Sequence, residues 1–137
     1  SLDLSASHTW SRATLEDGSS FDGRHLAGLP THAGHGELTW SGREGLVAAA
    51  CATWLGGTTW VDHANTLGYS GHVVARARVG WVDRRGWSLF VEVDNVFDCA
   101  TIASTAGVID LARNPGATAL FLPGLPRQIR VAARWRH

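Results

Sequence analysis

Apolar side chains recur at every second residue along most of this chain, which is the period of a β-strand rather than of a helix. Six segments show the pattern, at about residues 2–13, 37–41, 46–55, 72–81, 87–94 and 128–136. The third segment is apolar on both faces and is the least diagnostic. The pattern predicts an all-β protein whose strands form an antiparallel, up-and-down meander.

The connections between these segments alternate in length. Residues 42–45 and 83–86 form short turns, and both contain the glycine that tight hairpins need. The other connections, at about 15–36, 56–71 and 98–127, are long. This layout is typical of outer-membrane barrels, which have short periplasmic turns and long external loops. Soluble β-sandwiches show the same alternation, so the layout leaves both possibilities open.

Six of the seven tryptophans fall on the apolar face of the predicted strands. Near the short turns lie Trp40, Trp81, Trp87 and Trp135, and at the opposite strand ends lie Trp10 and Trp54. Small and aliphatic residues, mainly Ala, Val and Leu, fill the middle. Two aromatic rows bounding an apolar band predict a membrane girdle on a lipid-facing wall. A soluble sandwich would instead place its largest rings in mid-strand, where burial is deepest.

The opposite face of the last three segments carries charge. Its members are Arg76, Arg78, Glu92, Asp94, Arg130 and Arg134. The acidic segment lies between two basic ones, and opposite charges on neighbouring strands attract each other. These residues are predicted to line a polar lumen, although the solvated face of a sandwich would explain them equally well.

Composition narrows the function classes. Twelve basic residues balance twelve acidic ones, so there is no electrostatic reason to expect a nucleic-acid partner. No run of about 18 apolar residues is present, which excludes a transmembrane helix. The chain does not begin with Met and shows no signal peptide, so we expect it to start inside a longer protein.

No catalytic constellation stands out, and we expect neither an enzyme nor a cofactor. His25, His32 and His35 fall in the predicted first long loop, but their spacing is too loose to predict a metal site. Cys51 is predicted in mid-strand and Cys99 at a strand end. That separation is long for a disulfide, which needs Cα atoms within about 7 Å, so we predict that they are not bonded, although an oxidising compartment would permit a bond.

Two motifs near the carboxyl end carry a family resemblance. Residues 91–98 read Val-Glu-Val-Asp-Asn-Val-Phe-Asp, and residues 123–127 read Pro-Gly-Leu-Pro-Arg. They resemble the end of TonB-dependent receptors, where an Asn-Leu-Phe-Asp-like motif closes the penultimate strand and a Pro-Gly-x-x-Arg-like motif opens the last. The residues that carry the match are Asn95, Phe97, Asp98, Gly124 and Arg127. Val96 replaces the usual Leu, and His137 ends the chain where an aromatic residue is usual.

The resemblance implies a function and a set of partners. An intact receptor of this family imports a scarce ligand, such as a siderophore or cobalamin, with energy supplied through TonB, and its barrel has about 22 strands around a plug. Residues 1–137 are therefore interpreted as one carboxyl-terminal barrel segment without the plug and the amino-terminal strands, unable to transport alone. Its expected partners are outer-membrane lipid, the remaining barrel and plug, TonB and a small-molecule ligand.

The resemblance also implies that external loops contact the ligand. The loop candidates are Trp60, His63, Tyr69, His25, His32 and His35. Two alternatives remain open at this point. One is a soluble all-β sandwich acting as a binding module, and the other is a small autonomous outer-membrane barrel.

Overall fold

Six long strands form one antiparallel sheet in the computed structural model, which describes residues 1–16, 18–106, 110, 112–114 and 120–136. The strands are β1 (Leu2–Trp10), β2 (His32–Ser41), β3 (Leu46–Gly56), β4 (Thr58–Trp60), β5 (Gly68–Ser70), β6 (Val73–Val82), β7 (Trp87–Asp94), β8 (Ile102–Ala106), β9 (Leu120–Pro123) and β10 (Gln128–Trp135). A short 3-10 turn, Arg43–Gly45, joins β2 to β3. No helix in the described residues is long and apolar enough to cross a membrane.

The sheet follows chain order, β1-β2-β3-β6-β7-β10, and every neighbouring pair is antiparallel. This confirms the predicted all-β meander. The sheet does not close on itself, because β1 and β10 lie at its two edges. Two small hairpins, β4–β5 and β8–β9, lie within the long connections.

The pairing register keeps the same side chains on the same face across the whole sheet. Leu38 pairs with Ala50, Ala50 with Ala77, and Ala77 with Val93. Since successive residues of a strand point to opposite faces, this register gathers all even-numbered residues of β1, β2 and β3 with the odd-numbered residues of β6, β7 and β10. We call this surface the tryptophan face and the opposite surface the charged face.

Strand β2 begins at His32, earlier than the predicted start at Glu37. The sequence prediction was wrong here because Gly34 and Gly36 interrupt the apolar alternation and look like a loop. His32 and His35 therefore lie in a strand, on opposite faces, and not in the first loop. The predicted first strand also ends sooner, at Trp10 rather than at residue 13.

Buried apolar side chains lie in the second long connection rather than in the sheet. Among the described residues, the buried core consists of Val61 and Ala64, next to the buried polar residues Thr59 and Asp62. The Asp62 carboxylate accepts hydrogen bonds from the backbone N–H groups of Thr66 and Leu67, at 2.9 and 3.0 Å, and thereby closes the loop. A soluble sandwich would bury one face of the sheet, and neither face is sealed in this structure.

The turn between β2 and β3 depends on Gly45. Its φ of +83° lies in the left-handed region, and a Cβ atom there would lie 1.9 Å from the carbonyl oxygen of Val82. The turn is also held by Trp81, whose indole N–H donates to the carbonyl of Glu44 at 2.8 Å. The close approach of two backbones at this position requires glycine.

We expect Gly45→Ala to lower the free energy of unfolding more than Gly23→Ala does. Both positions have positive φ, so each substitution costs about 1–2 kcal/mol of backbone strain. A Cβ atom at Gly23 has no described atom within 4 Å, whereas at Gly45 it meets the Val82 backbone. The clash should add about 1–3 kcal/mol, as overpacking does. Urea unfolding in detergent micelles measures the difference, and equal losses would contradict the close approach.

Candidate functional site

Six tryptophans mark the two ends of the tryptophan face. At the end with the long connections lie Trp10 and Trp54, and at the end with the short turns lie Trp40, Trp81, Trp87 and Trp135. Trp87 and Trp135 face each other across β7 and β10, with ring centroids 6.1 Å apart. Exposed fractions of 42–62 % for all but the half-buried Trp54 show that these rings are not packed into a protein core.

Two of these rings lie over glycines. A Cβ atom at Gly34 would lie 2.0 Å from the Trp54 ring, and one at Gly42 would lie 2.4 Å from the Trp40 ring. Because glycine has no side chain, each indole can lie flat against the neighbouring backbone. The glycines that obscured β2 in the sequence therefore make room for the aromatic rows.

The charged face carries an ion-pair network across three neighbouring strands. Arg130 of β10 bonds to Glu92 at 2.6 Å and also to Asp94, both in β7. Asp94 accepts a second hydrogen bond from Arg76 of β6. The Arg78 guanidinium lies 3.9 Å from the ring centroid of Phe90, a cation–π contact. The structure thus places all the predicted lumen charges on one face, with the carboxylates between the arginines.

A cavity of about 370 Å³ opens on the charged face, near the long-connection end. Its lining includes His35, Cys51, Arg76, Asp94 and Arg130. The His35 ring nitrogen Nδ1 lies 3.3 Å from the Thr53 hydroxyl, and Nε2 lies 3.8 Å from the Glu37 carboxylate. His35 therefore belongs to the polar contacts of the charged face. Cys51 and Cys99 are free thiols.

Asn95 closes the long connection that follows β7. Its amide Nδ2 donates to the carbonyls of Cys99, at 2.9 Å, and Leu125, at 3.2 Å, while Oδ1 accepts from the Cys99 N–H at 3.0 Å. The side chain is buried, and its φ of +50° is one that Asn tolerates better than most residues. The Asn95 side chain thus joins the two ends of this connection, since Asn95 and Leu125 are 30 residues apart in sequence.

Asp98, Gly124 and Arg127 complete this closure. The Asp98 carboxylate accepts a hydrogen bond from the Arg127 backbone N–H at 3.0 Å and lies 3.9 Å from its guanidinium. Gly124 donates its N–H to the Thr101 carbonyl at 2.8 Å, and a Cβ atom there would clash with the Thr101 hydroxyl. Phe97, by contrast, is 71 % exposed. Four of the five motif residues therefore have a direct role in bringing β10 back to β7.

The first and second long connections are fastened to each other by Asn65. Its Oδ1 accepts from the His25 N–H at 2.7 Å, and its Nδ2 donates to the His25 carbonyl at 2.9 Å. Gly28 also donates its N–H to the Trp60 carbonyl at 2.8 Å. Nothing in the sequence singled out Asn65, because its role comes from hydrogen bonds to a residue 40 positions away.

A second cavity, of about 230 Å³, lies where these two connections meet. His25 and Trp60 both line it, so the structure brings these two loop candidates together. Leu26, Leu29 and Thr58 supply much of the remaining wall. His63 and Tyr69 are in the same connection as Trp60 but do not line this cavity, and His32 lies on the tryptophan face.

We expect Asn95→Ala to destabilise the protein by about 1–3 kcal/mol, because it removes the hydrogen bonds that the buried Asn95 side chain makes to the backbones of Cys99 and Leu125. Asn95→Gly is the matched variant, since it removes the same hydrogen bonds but fits the positive φ without strain. Both should lower the thermal midpoint and speed proteolysis between residues 98 and 127, with Ala worse than Gly. Wild-type stability in Asn95→Gly would show that the side-chain bonds contribute nothing.

Comparisons with known proteins place these features in a family. Solved structures with the same fold include the unliganded ferric citrate transporter FecA (TM-score 0.80, 16 % identity, 98 % of this chain and 21 % of that one). The ferric yersiniabactin uptake receptor FyuA from Yersinia pestis gives a TM-score of 0.79 at 17 % identity, over 98 % of this chain and 21 % of that one. The ferric-catecholate import receptor Fiu from E. coli K12 gives 0.75 at 22 % identity, over 98 % of this chain and 18 % of that one.

The chain thus spans about a fifth of the length of these structures, and the likeness shows the fold. No curated protein matches the chain. Residues 1–96, which are 96 of the 137 in the sequence, match the family model described as TonB dependent receptor-like, beta-barrel. The chain therefore belongs to the TonB-dependent receptor β-barrel family.

Proposed function

We propose that this chain is part of the barrel wall of an outer-membrane TonB-dependent receptor, with the tryptophan face toward lipid and the charged face toward the lumen. Its homologues are outer-membrane β-barrel proteins. The observation that carries the proposal is the pair of exposed tryptophan rows on one face, separated by small apolar side chains. Indole rings favour the headgroup level of a bilayer. An apolar band between two such rows fits the hydrocarbon core that lies between the two headgroup layers.

The open sheet explains which protein partners the wall needs. In a bilayer, each backbone group without a hydrogen-bond partner costs several kcal/mol, so an unpaired strand edge is strongly unfavourable there. The outer edges of β1 and β10 are therefore assigned to the remaining strands of the receptor barrel. On this proposal residues 1–137 are one carboxyl-terminal segment of that barrel, and the plug lies against the charged face.

The ligand is proposed by analogy with the related structures, whose names refer to ferric citrate, ferric yersiniabactin and ferric catecholate. A ferric siderophore is the class these names favour, with cobalamin or another scarce molecule as the wider class. The cavity that His25 and Trp60 share, where the first two long connections meet, is the place proposed for a loop contact. His63 and Tyr69 are weaker candidates in the same connection, His35 contributes from the charged face, and His32 lies on the tryptophan face.

The proposed role is transport rather than catalysis. The family consists of transporters, and TonB would supply the energy through a part of the receptor outside this chain. Ligand movement then requires a plug and a closed wall, neither of which six open strands provide.

The orientation of the faces can be tested with two adjacent alanines of β3. Ala50 lies in the middle of the tryptophan face, between Leu38 and Ala77, whereas Ala49 lies on the charged face opposite Arg78. A carboxylate on a lipid-facing wall is unfavourable, at somewhat less than the about 2–4 kcal/mol known for Arg or Lys at the midplane. Ala50→Glu should therefore reduce partition of the chain into liposomes, measured by flotation, and Ala49→Glu should not.

A control on the same preparation is quenching by brominated lipids. Tryptophan emission should be quenched more strongly by lipids brominated near the headgroup than by lipids brominated at the acyl-chain ends. If both glutamate variants partition equally, or if quenching is strongest at the bilayer centre, the assignment of the faces is wrong.

We also expect liposomes that contain only this chain to take up ferric citrate no faster than empty liposomes. The reason is that an open six-stranded sheet lacks both a closed wall and a plug. Radioactive iron retained inside the vesicles after filtration measures the uptake. Ligand-dependent uptake above the empty-vesicle level would refute the proposal that this segment is not competent for transport alone.

A further inference from the structure

Two histidines approach each other on the tryptophan face, in a place that the proposed wall does not explain. His8 of β1 and His32 of β2 have ring planes 20° apart and centroids 5.4 Å apart. Nε2 of His8 and Nδ1 of His32 are separated by 3.3 Å. We propose that this pair is a two-histidine binding site for a divalent transition-metal ion.

The pairing register brings the two rings together. His8 lies directly opposite Gly34, and His32 lies directly opposite Trp10, so the two imidazoles are diagonal neighbours on one face. Diagonal neighbours across antiparallel strands are within reach of large side chains. Since Gly34 has no side chain, His8 has His32 as its side-chain partner on β2. The site is therefore built on two strands of fixed register rather than on a loop.

The separation of the nitrogens suits a shared ion. Zinc–imidazole bonds are about 2.0–2.1 Å long, and two such bonds ending on nitrogens 3.3 Å apart enclose an angle of about 104–111°. That is close to the tetrahedral angle. Metal binding requires both rings to turn so that their lone pairs point at one ion, and both side chains are at least partly exposed.

The chemistry of the pair defines the class of ion. Neutral imidazole is a good ligand for copper, zinc and nickel, whereas calcium and magnesium prefer oxygen. Within the described residues no group of three or more His, Cys, Asp or Glu side chains could hold a metal, so water would complete the coordination sphere here. His32 pairs with Trp10 across the two strands, and both histidines are at least partly exposed, so water can reach the site.

A bound ion would connect β1, an edge strand of the described sheet, to β2. Binding to the folded sheet, and not to the unfolded chain, stabilises the folded state in proportion to the logarithm of the metal concentration. This role differs from ligand import, because the pair lies on the opposite face from the charged cavity. The proposed metal site does not depend on how the sheet is oriented in a membrane.

The test uses the full chain in detergent micelles with Cu²⁺ as the only added ligand. We expect one Cu²⁺ per chain, with electron paramagnetic resonance couplings from two imidazole nitrogens and a higher thermal midpoint in the presence of the metal. His8→Ala and His32→Ala should each weaken binding about tenfold or more, because even the loss of an outer-shell partner costs about 10–100-fold. His72→Ala, outside the pair, is the matched control and should bind as the unaltered chain does.

A simple hydrogen bond between the rings is the competing explanation, and His8→Asn separates it from metal binding. Asn can still hydrogen-bond with His32 but supplies no imidazole, so metal-free stability should be kept while Cu²⁺ affinity falls. Equal Cu²⁺ affinity in the unaltered chain and in the His8→Ala/His32→Ala double variant would overturn the proposal. If a variant loses its far-ultraviolet β-sheet signal, the spectrum of the unaltered chain decides, since couplings from only one imidazole would also overturn it.

Discussion

An unbroken antiparallel register across six strands is the constraint on which the rest of this structure depends. Side chains alternate between faces with a period of two, so a slip of one residue in any pairing would exchange the faces of every strand beyond it. The observed pairings keep the aromatic rows on one side and the ion-pair network on the other. Nothing inside the sheet enforces this by burial, because the apolar core of the described residues lies in a connection.

Side-chain hydrogen bonds hold the register at the long connection between β7 and β10. Between β7 and β10 the chain makes an excursion from Asp94 to Gln128, and loop closure of this length carries an entropic cost. Asn95 and Asp98 offset part of that cost by binding backbone groups on the returning segment, close to where β10 begins. The motif that carries the sequence resemblance therefore helps to hold the register, through an amide, a carboxylate and a glycine.

The sequence predicted the sheet well and the connections poorly, for physical reasons. Period-two alternation is strong in β1, β6, β7 and β10, and their faces were assigned correctly from parity alone. The start of β2 was missed because Gly34 and Gly36 carry no side chain to contribute to the pattern. The short strands β4, β5, β8 and β9 were missed because three to five residues are too few to show any period.

The features of the candidate site also differ in whether the sequence could predict them. The alternation of residues along the strands predicted that the charged residues share one face. The motif near the carboxyl end was recognised from its residue types. The hydrogen bonds of Asn65 and the proximity of His8 to His32 depend on pairings between distant segments, which no local pattern encodes. His8 falls in the apolar alternation of β1, and such alternation indicates which face a residue lies on but not which residue it contacts.

The hydrogen bonds between the Asn65 side chain and the His25 backbone have a consequence for how the first two long connections are linked. It holds the backbone of His25 from both its N–H and its carbonyl, while Gly28 is bonded to Trp60 nearby. The two connections are consequently joined at two places, and the small buried core of Val61 and Ala64 lies in the second of them, outside the sheet. A force applied to one connection is therefore passed to the other through the backbone bonds of His25 and Gly28, without passing through the six-stranded sheet.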